Sequence, residues 1–500
     1  MKNIMRRGAT PASIACSLAA FALLMGVTSQ AREPEPDVAG FKAYELPTYT
    51  IVTHDERSAR AIPRLAAQTE TALDALFGRT TRVASSPTYI LLMPESLWLR
   101  YLRPGQGIIG EFVPGRFANY VMLNNARDVS SLGRGVFHEY SHWYLHSQFA
   151  GVLPLWFDEG LAEFVKTAEF RDNDVTMGYP ELYGPVGWMP LEKVFRLTRS
   201  SPEYRSAHTS PAVHRESWAL VHRAFVGDAQ FKEQVFAYLD ALNAQREIDE
   251  AARASFGTPI DELDRKIYAY LNPNVTYLTK HGFQVLRLPV ERTTDQRLPS
   301  GRAMGEVEAL QLIADVMLAS GFNAERLPEV AAAIRRVAPD SATDVVLRMR
   351  LAARRGDDAT IAQLVRRFAS KATDPALLRG AGLAIHELVE QSGRADLAPV
   401  GLEMLDRAAM SRPDDAEAIW AYAMLSARLQ SDVPIALRRV LEMRILYPAN
   451  PYLAQAVALL HESRGDAAGF EAALRETLKL AKDPSLSDWA KTRRDGLASR

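Results

Sequence analysis

His138-Glu139-Tyr140-Ser141-His142 puts two imidazoles and a carboxylate within five positions. On an α-helix, His138 and His142 stand one turn apart on one face, with Cβ atoms roughly 6 Å apart. Two imidazoles so placed can bind one Zn²⁺ at roughly 2.0–2.1 Å each. Glu139 then lies beside the metal, where its carboxylate can take a proton from water held there. Seventeen residues past His142 comes Glu159, inside Asp158-Glu159-Gly160-Leu161-Ala162-Glu163. Gly151 and Pro154 lie between and predict the end of one helix and the start of a returning one. The second helix is expected to present Glu159 in its first turn and Glu163 one turn on along the same face. Two histidines and a glutamate make a three-ligand site with one position left for water. Glu163 is placed to orient a ligand histidine through its other ring nitrogen. Taken singly, the same residues also fit two core histidines and a first-turn glutamate favoured by the helix dipole. Their joint occurrence points to a metal.

The pattern H-E-x-x-H followed by Trp156-x-x-Glu159-Gly160-x-Ala162-Glu163 resembles the gluzincin metallopeptidases, the clan of thermolysin and the aminopeptidase-N type enzymes. It is more closely similar to the peptidase MA-like bacterial proteins, in which such a domain often precedes helical repeats. The resemblance covers about residues 45–240 and is most specific at 138–163. It implies an α+β zincin-like catalytic domain, a mixed sheet with active-site helices, that hydrolyses peptide bonds. It also implies that His138, His142 and Glu159 are zinc ligands, Glu139 the general base, and Glu163 a hydrogen-bonding support for a ligand.

Such enzymes need a donor for the oxyanion of the tetrahedral intermediate. In related gluzincins a tyrosine often opens the helix that supplies it. Here His214-Arg215-Glu216-Ser217-Trp218, 55 residues after Glu159, opens a predicted helix and makes His214 the candidate. Tyr183, Tyr204 and His208 compete, and a solvated surface histidine is the ordinary alternative for His214. His146, one turn beyond His142, is not expected to bind metal. The metzincin pattern would need a histidine where Gln148 stands.

Several elements must position these residues. Tyr49–Thr53 and Tyr89–Met93 read as buried strands, and Asp55–Phe77 as a helix with Ile62, Leu65, Ala66, Leu73 and Leu76 on one face. Ile108–Val113 and Asn119–Leu123 fit a hairpin around Pro114-Gly115. Gluzincins bind extended substrate along an exposed edge strand, and the second hairpin strand is expected to serve as that edge. The aminopeptidase branch carries a glutamate there, whereas Gly115-Arg116-Phe117-Ala118-Asn119 has no acid. That departure favours an endopeptidase.

Residues 241–275 read as helices, and 276–305, with Pro289, Pro299 and Gly301, as a strand-containing connector. From 306 to 500 the chain turns to Leu- and Ala-rich helices. Pro339, Pro375, Pro413, Pro448 and Pro484 recur there at spacings of 36, 38, 35 and 36. That period predicts tetratricopeptide-like (TPR-like) helix pairs, an all-α solenoid that docks substrate or a protein partner. An irregular helical bundle is the alternative. The expected layout is thus a leader at 1–31, a catalytic domain at 38–275, the connector at 276–305 and repeats at 306–500. On that layout, deleting 306–500 spares zinc binding.

At 500 residues the chain exceeds one core. Its net charge of −1 offers no field for nucleic acid or an anionic membrane. Residues 1–31 read as a secretory signal peptide, with Lys2, Arg6 and Arg7, then the apolar Ala15–Val27, then Ser29-Gln30-Ala31. Without them no membrane-spanning segment is expected. Cys16, the one cysteine, falls inside the leader, so the mature chain would contain no disulfide. A periplasmic or secreted protein fits. Two other readings remain beside the peptidase. One is a zinc-bearing but inactive scaffold, an envelope assembly factor acting through its repeats. The other is a zinc hydrolase of a non-peptide amide in the cell wall.

Overall fold

The strands alternate their apolar residues between two faces, and each face carries its own layer of helices. The computed structural model describes residues 36–78, 86–102, 109–125, 129–149, 151–180, 187–271, 284–291, 297–368, 373–482 and 484–498. The leader lies outside them. The strands are β1 (Lys42–Glu45), β2 (Thr50–Thr53), β3 (Thr88–Met93), β4 (Gly110–Val113), β5 (Asn119–Asn124), β6 (Glu169–Arg171), β7 (Asp174–Met177), β8 (Leu286–Pro289) and β9 (Arg302–Ala303). Six of them form a mixed sheet in the order β4-β5-β3-β2-β1-β9, in which β2, β3 and β5 run parallel. A second sheet has the order β6-β7-β8.

Ile51, Ile90, Leu92, Phe112, Val121 and Leu123 face one way, towards α1 (Ile62–Phe77), α2 (Val129–Gln148) and α3 (Leu155–Lys166). Their alternates Val52, Leu91, Met93, Val113, Tyr120 and Met122 face the other way. The expected helix 55–77 is broken. Asp55 caps a single turn, Glu56–Ala59, and α1 starts afresh because Pro63 has no N–H to offer and its ring clashes with the preceding turn.

Behind α3 comes α4 (Ser210–His222), followed by α5 (Ala229–Asn243), α6 (Ile248–Phe256) and α7 (Ile260–Leu271). Every residue from Leu155 to Val165 is buried, which marks α3 as a helix enclosed on all sides. Gly160 makes this enclosure possible. A Cβ there would stand 2.3 Å from Ser217 O, so only glycine lets α3 and α4 approach so closely.

The stretch expected as a connector does not separate two bodies. Its β8 completes the small sheet beside β7, its β9 pairs with β1, and Val38–Arg500 forms one compact unit. The helices that follow, α8 (Glu306–Ser320) and α9 (Leu327–Val337), bury Leu310, Ile313, Met317, Val330 and Ile334 on the far face of the main sheet. Further pairs succeed them: α10 (Ala342–Arg355) with α11 (Asp358–Phe368), α12 (Pro375–Ser392) with α13 (Ala398–Ser411), α14 (Ala416–Leu429) with α15 (Val433–Leu446), and α16 (Pro451–Ser463) with α17 (Ala467–Leu480). A last helix, α18 (Pro484–Ala498), ends the described chain. The five periodic prolines fall between pairs or on the first residue of a new one, as the period predicts. The first helices of the pairs line a cavity of about 880 Å³ with the hairpin turn 114–118, Tyr89 and Tyr120. Among the described residues no helix is long and apolar enough to cross a membrane.

His222 at the end of α4 supplies a pH dependence remote from the candidate site. Its Nε2 lies 3.0 Å from Gln284 O and its Nδ1 2.7 Å from the Tyr270 hydroxyl. Burial pushes the imidazole down to about 4. The unfolded chain therefore binds this proton from about pH 6.5 downwards while the fold resists it until about 4. Stability is expected to fall across that window by about 3 kcal/mol from this group. Denaturant midpoints at pH 7 and 4.5 should differ less in His222→Gln than in the parent chain.

Candidate metal centre

Hydrogen bonds fix the rotation of α2. Tyr140 and Tyr144, one turn apart, donate to Glu70 and Asp74 of α1 at 2.7 Å each, and Trp143 donates to Thr88 at 2.8 Å. With these residues turned to α1 and the sheet, His138 and His142 must face α3. After α2 ends at Gln148, Gly151 turns with φ +83° and Pro154 opens α3. Glu159 comes in the second turn of α3 rather than the first, because the helix already begins at Leu155.

His138 Nε2 and His142 Nε2 lie 3.3 Å apart, and Glu159 Oε2 lies 3.5 and 3.6 Å from them. Glu159 is fully buried, and its Oε2 has no hydrogen-bond partner. The outward nitrogens both face carboxylates, but of the two only that of His142 is hydrogen-bonded. His142 Nδ1 donates to Asp158 at 2.7 Å, and His138 Nδ1 is 3.2 Å from Glu163. Because a carboxylate only accepts, the His142 proton sits on Nδ1 and the Nε2 lone pair faces the cluster. A Glu139 carboxylate oxygen lies within 4.8 Å of the ring nitrogens of both histidines.

His214, on α4, also reaches this place. Its Nε2 stands 3.3 Å from Glu159 Oε2 and its Nδ1 2.7 Å from Ser210 O. The Ser210 carbonyl takes the Nδ1 proton, so Nε2 can donate only from the doubly protonated ring. Of its rivals, Tyr204 donates to Glu159 Oε1 at 2.7 Å, His208 is exposed, and Tyr183 lies outside the described residues. His146 turns aside from the cluster, with Nε2 3.2 Å from Asp158 Oδ2.

Sequence reasoning missed Asp158 and Arg199. Asp158 touches His142, His146 and Arg199, the last at 2.7 Å. Asp158 had a signal, since an acid directly before Glu159 on the same helix must also face α2. Arg199 comes from an irregular loop 41 residues away with no motif around it.

Charge in the cluster is arranged to hold cations. Burial alone would lower His142, but Asp158 and Glu159 outweigh it and raise the ring to about 9. His138 is raised in the same way, burial being overcome by Glu139, Glu159 and Glu163. Burial pushes Glu159 up, and the imidazoles of His142, His138 and His214 hold it well below the usual carboxylate range. His146 is the contrast, lowered by burial to about 4. With neutral histidines, the carboxylates of Glu139, Asp158, Glu159 and Glu163 face the cations Arg199 and Lys166, which leaves two negative charges. Lys482 donates to His146 O nearby, and burial lowers its ammonium to about 7, so it cancels only part of that excess.

The edge of the main sheet beside this cluster is β4, not β5. β5 is enclosed between β4 and β3. On the site-facing side β4 presents Gly110, where a Cβ would meet Glu139 Cγ at 2.5 Å, and Phe112, stacked on His142 at 6.2 Å. Arg116 and Phe117 lie instead against Trp420 and Tyr452 of the repeats, so the missing acid at 115–119 says nothing about the site. β4 itself carries one acid, Glu111, and its charge helps to raise the Tyr204 hydroxyl beside Glu159.

No protein-family model matches this chain, and no curated protein matches it. One solved structure with a likeness is YrrB, described as a TPR protein with an unusual peptide-binding site. It is 13% identical, covers 37% of this chain and 92% of its own, and superposes with a TM-score of 0.27.

Proposed function

We propose that this chain is a zinc-dependent endopeptidase of the gluzincin type, with His138, His142 and Glu159 as ligands. One observation carries the reading. Ligands at 2.0–2.1 Å around a tetrahedral zinc stand about 3.3–3.4 Å apart, and the three candidate atoms stand 3.3, 3.5 and 3.6 Å apart. The buried Oε2 of Glu159, which has no hydrogen-bond partner, and the acids gathered around it call for a cation there.

When bound, zinc supplies Lewis acidity and a water acidic enough to lose a proton near neutral pH. Glu139 accepts that proton and returns it to the leaving nitrogen. His214 Nε2 donates to the oxyanion as it develops. Asp158 holds the His142 imidazole in one tautomer and orientation, Glu163 flanks His138 at 3.2 Å, and Tyr204 fixes the outer oxygen of Glu159. Extended peptide pairs with the outward groups of β4 beside Gly110 and displaces the long Arg199 contact, 3.5 Å, from the Phe112 carbonyl. The cavity lined by the repeats offers a place for a peptide or protein partner. The leader at 1–31 is the ground for placing the enzyme in the periplasm or outside the cell.

Metal analysis of the purified full chain tests the reading, beside a His142→Ala control. One zinc per chain, lost in the control, is expected. A folded parent chain that takes up no zinc when zinc is supplied would remove the enzyme and leave the repeats as the working part. Zinc without hydrolysis of protein or peptide substrates would favour the scaffold, and release of murein fragments the cell-wall hydrolase.

A further inference from the structure

The two strands at the sheet edge are joined by a turn that the repeats hold from outside. Gly115 allows the tight bend, since a Cβ there would meet Ala118 O at 2.1 Å. The Arg116 guanidinium lies 4.4 Å from the Trp420 ring centre and 4.8 Å from that of Tyr452. Phe117 packs on the same two rings at 5.5 and 6.2 Å. Asn450, itself buried, donates to Arg116 O at 2.9 Å, while its Oδ1 caps α16 through Tyr452 N and Leu453 N. One amide thus ties the turn to the start of a repeat. His386 packs against the edge of Trp420 at 4.7 Å and supports it from behind.

Arg116 stands only four residues along the chain from Phe112 at the candidate site. Gly110 has no space to shift towards Glu139, and Phe112 lies on His142 and, at 5.2 Å, on His146. A second contact acts on the opposite wall, where Lys482 donates to His146 O near the end of α2. The repeats therefore touch both the strand and the helix that bound the site.

We propose that the helical repeats set the position of β4 against Glu139 and His142, with Arg116, Trp420 and Asn450 as positioning residues that never touch substrate. For catalysis this rests on the hydrolase reading above. For the strand itself it does not. A turn held by stacked aromatic rings and a backbone hydrogen bond cannot slide, so the outward groups of Gly110 and Phe112 keep a fixed distance from Glu139. Loosening the turn frees the strand to move along the site and weakens pairing with extended peptide before it harms proton transfer.

Arg116→Glu in the full chain, with Arg116→Lys as the conservative partner, is the test. Amide hydrogen exchange at residues 110–113 is read together with zinc content, kcat and KM on an extended peptide. Exchange in β4 is expected to rise about tenfold in Arg116→Glu, with zinc content unchanged. KM should rise about tenfold with kcat nearly constant. Arg116→Lys should recover most of both, because an ammonium can still lie over the rings. Unchanged exchange in a folded Arg116→Glu chain would overturn the proposal, as would exchange rising equally through β2, β3 and the repeats. Faster β4 exchange with KM and kcat both at parent values would overturn the catalytic role. Should the parent chain bind no zinc, the hydrolase reading falls, and the exchange measurement alone still decides the grip on β4.

Discussion

Glu139→Gln is expected to retain one zinc per chain and to lose peptide hydrolysis by roughly a hundred- to ten-thousandfold. Glutamine matches glutamate in size, and Glu139 stands beside the three ligand atoms without completing their set, so metal binding has no reason to change. What disappears is, among the described residues of the cluster, the carboxylate to which the proposal gives neither a ligand nor a supporting role. Glu159 faces both histidines, Glu163 approaches His138, and Asp158 is bound to His142. The loss should appear in kcat, with KM little altered, because the proton moves only as the transition state forms. Parent-like turnover in this variant would remove Glu139 from the mechanism.

Asp158→Ala should harm both the metal site and the fold. The carboxylate accepts from His142 at 2.7 Å and from Arg199 at 2.7 Å, and His146 is 3.2 Å away. Without it the His142 ring loses the partner that fixes its tautomer, and zinc affinity is expected to fall about 10- to 100-fold. Arg199 would lose its main counter-charge and keep only the more distant Glu159, at 3.9 Å. Losing one member of a buried pair costs about 3–5 kcal/mol. Since 28% of the Arg199 side chain stays exposed, the lower end, about 3 kcal/mol, is expected. Denaturation in the presence of chelator reads the fold alone, and competition with a chromophoric chelator reads affinity alone. Parent values in both would leave Asp158 without the supporting role given to it here.

The residues at 138–163 were legible in sequence because their periodicity does not depend on distant contacts. A helix puts positions four apart on one face, and Gly151 and Pro154 announce the return. The same local logic revealed the prolines that punctuate the helix pairs, but it put His214 at a helix start, whereas the helix begins four residues earlier at Ser210. Failures came where partners are far apart in sequence. Nothing near Phe112 distinguishes an edge strand from an inner one; that depends on β3 choosing β5 as its neighbour. β6, β7 and β8 have only three or four residues each, too few for an alternation to show. The first helix pair, α8 and α9, has the composition of the repeats that follow, yet it covers the sheet. Arg116 and Trp420, some 300 positions apart, carry no local sign of meeting.

The pairing of β1 with β9 joins Lys42 to Ala303, about 260 residues downstream. Closing so long a loop costs entropy before any contact compensates it, and such topologies fold slowly. The N-terminal half of the chain cannot cover the back of its own sheet until α8 and α9 exist. A chain emerging from the ribosome would thus hold the H-E-x-x-H helix long before it holds a finished core. Truncation at residue 305 therefore would not release an independent enzyme. It would leave Leu91, Met93 and Met122 open to water and prone to self-association. Refolding yield after complete denaturation should depend on protein concentration, with dilution favouring the native chain.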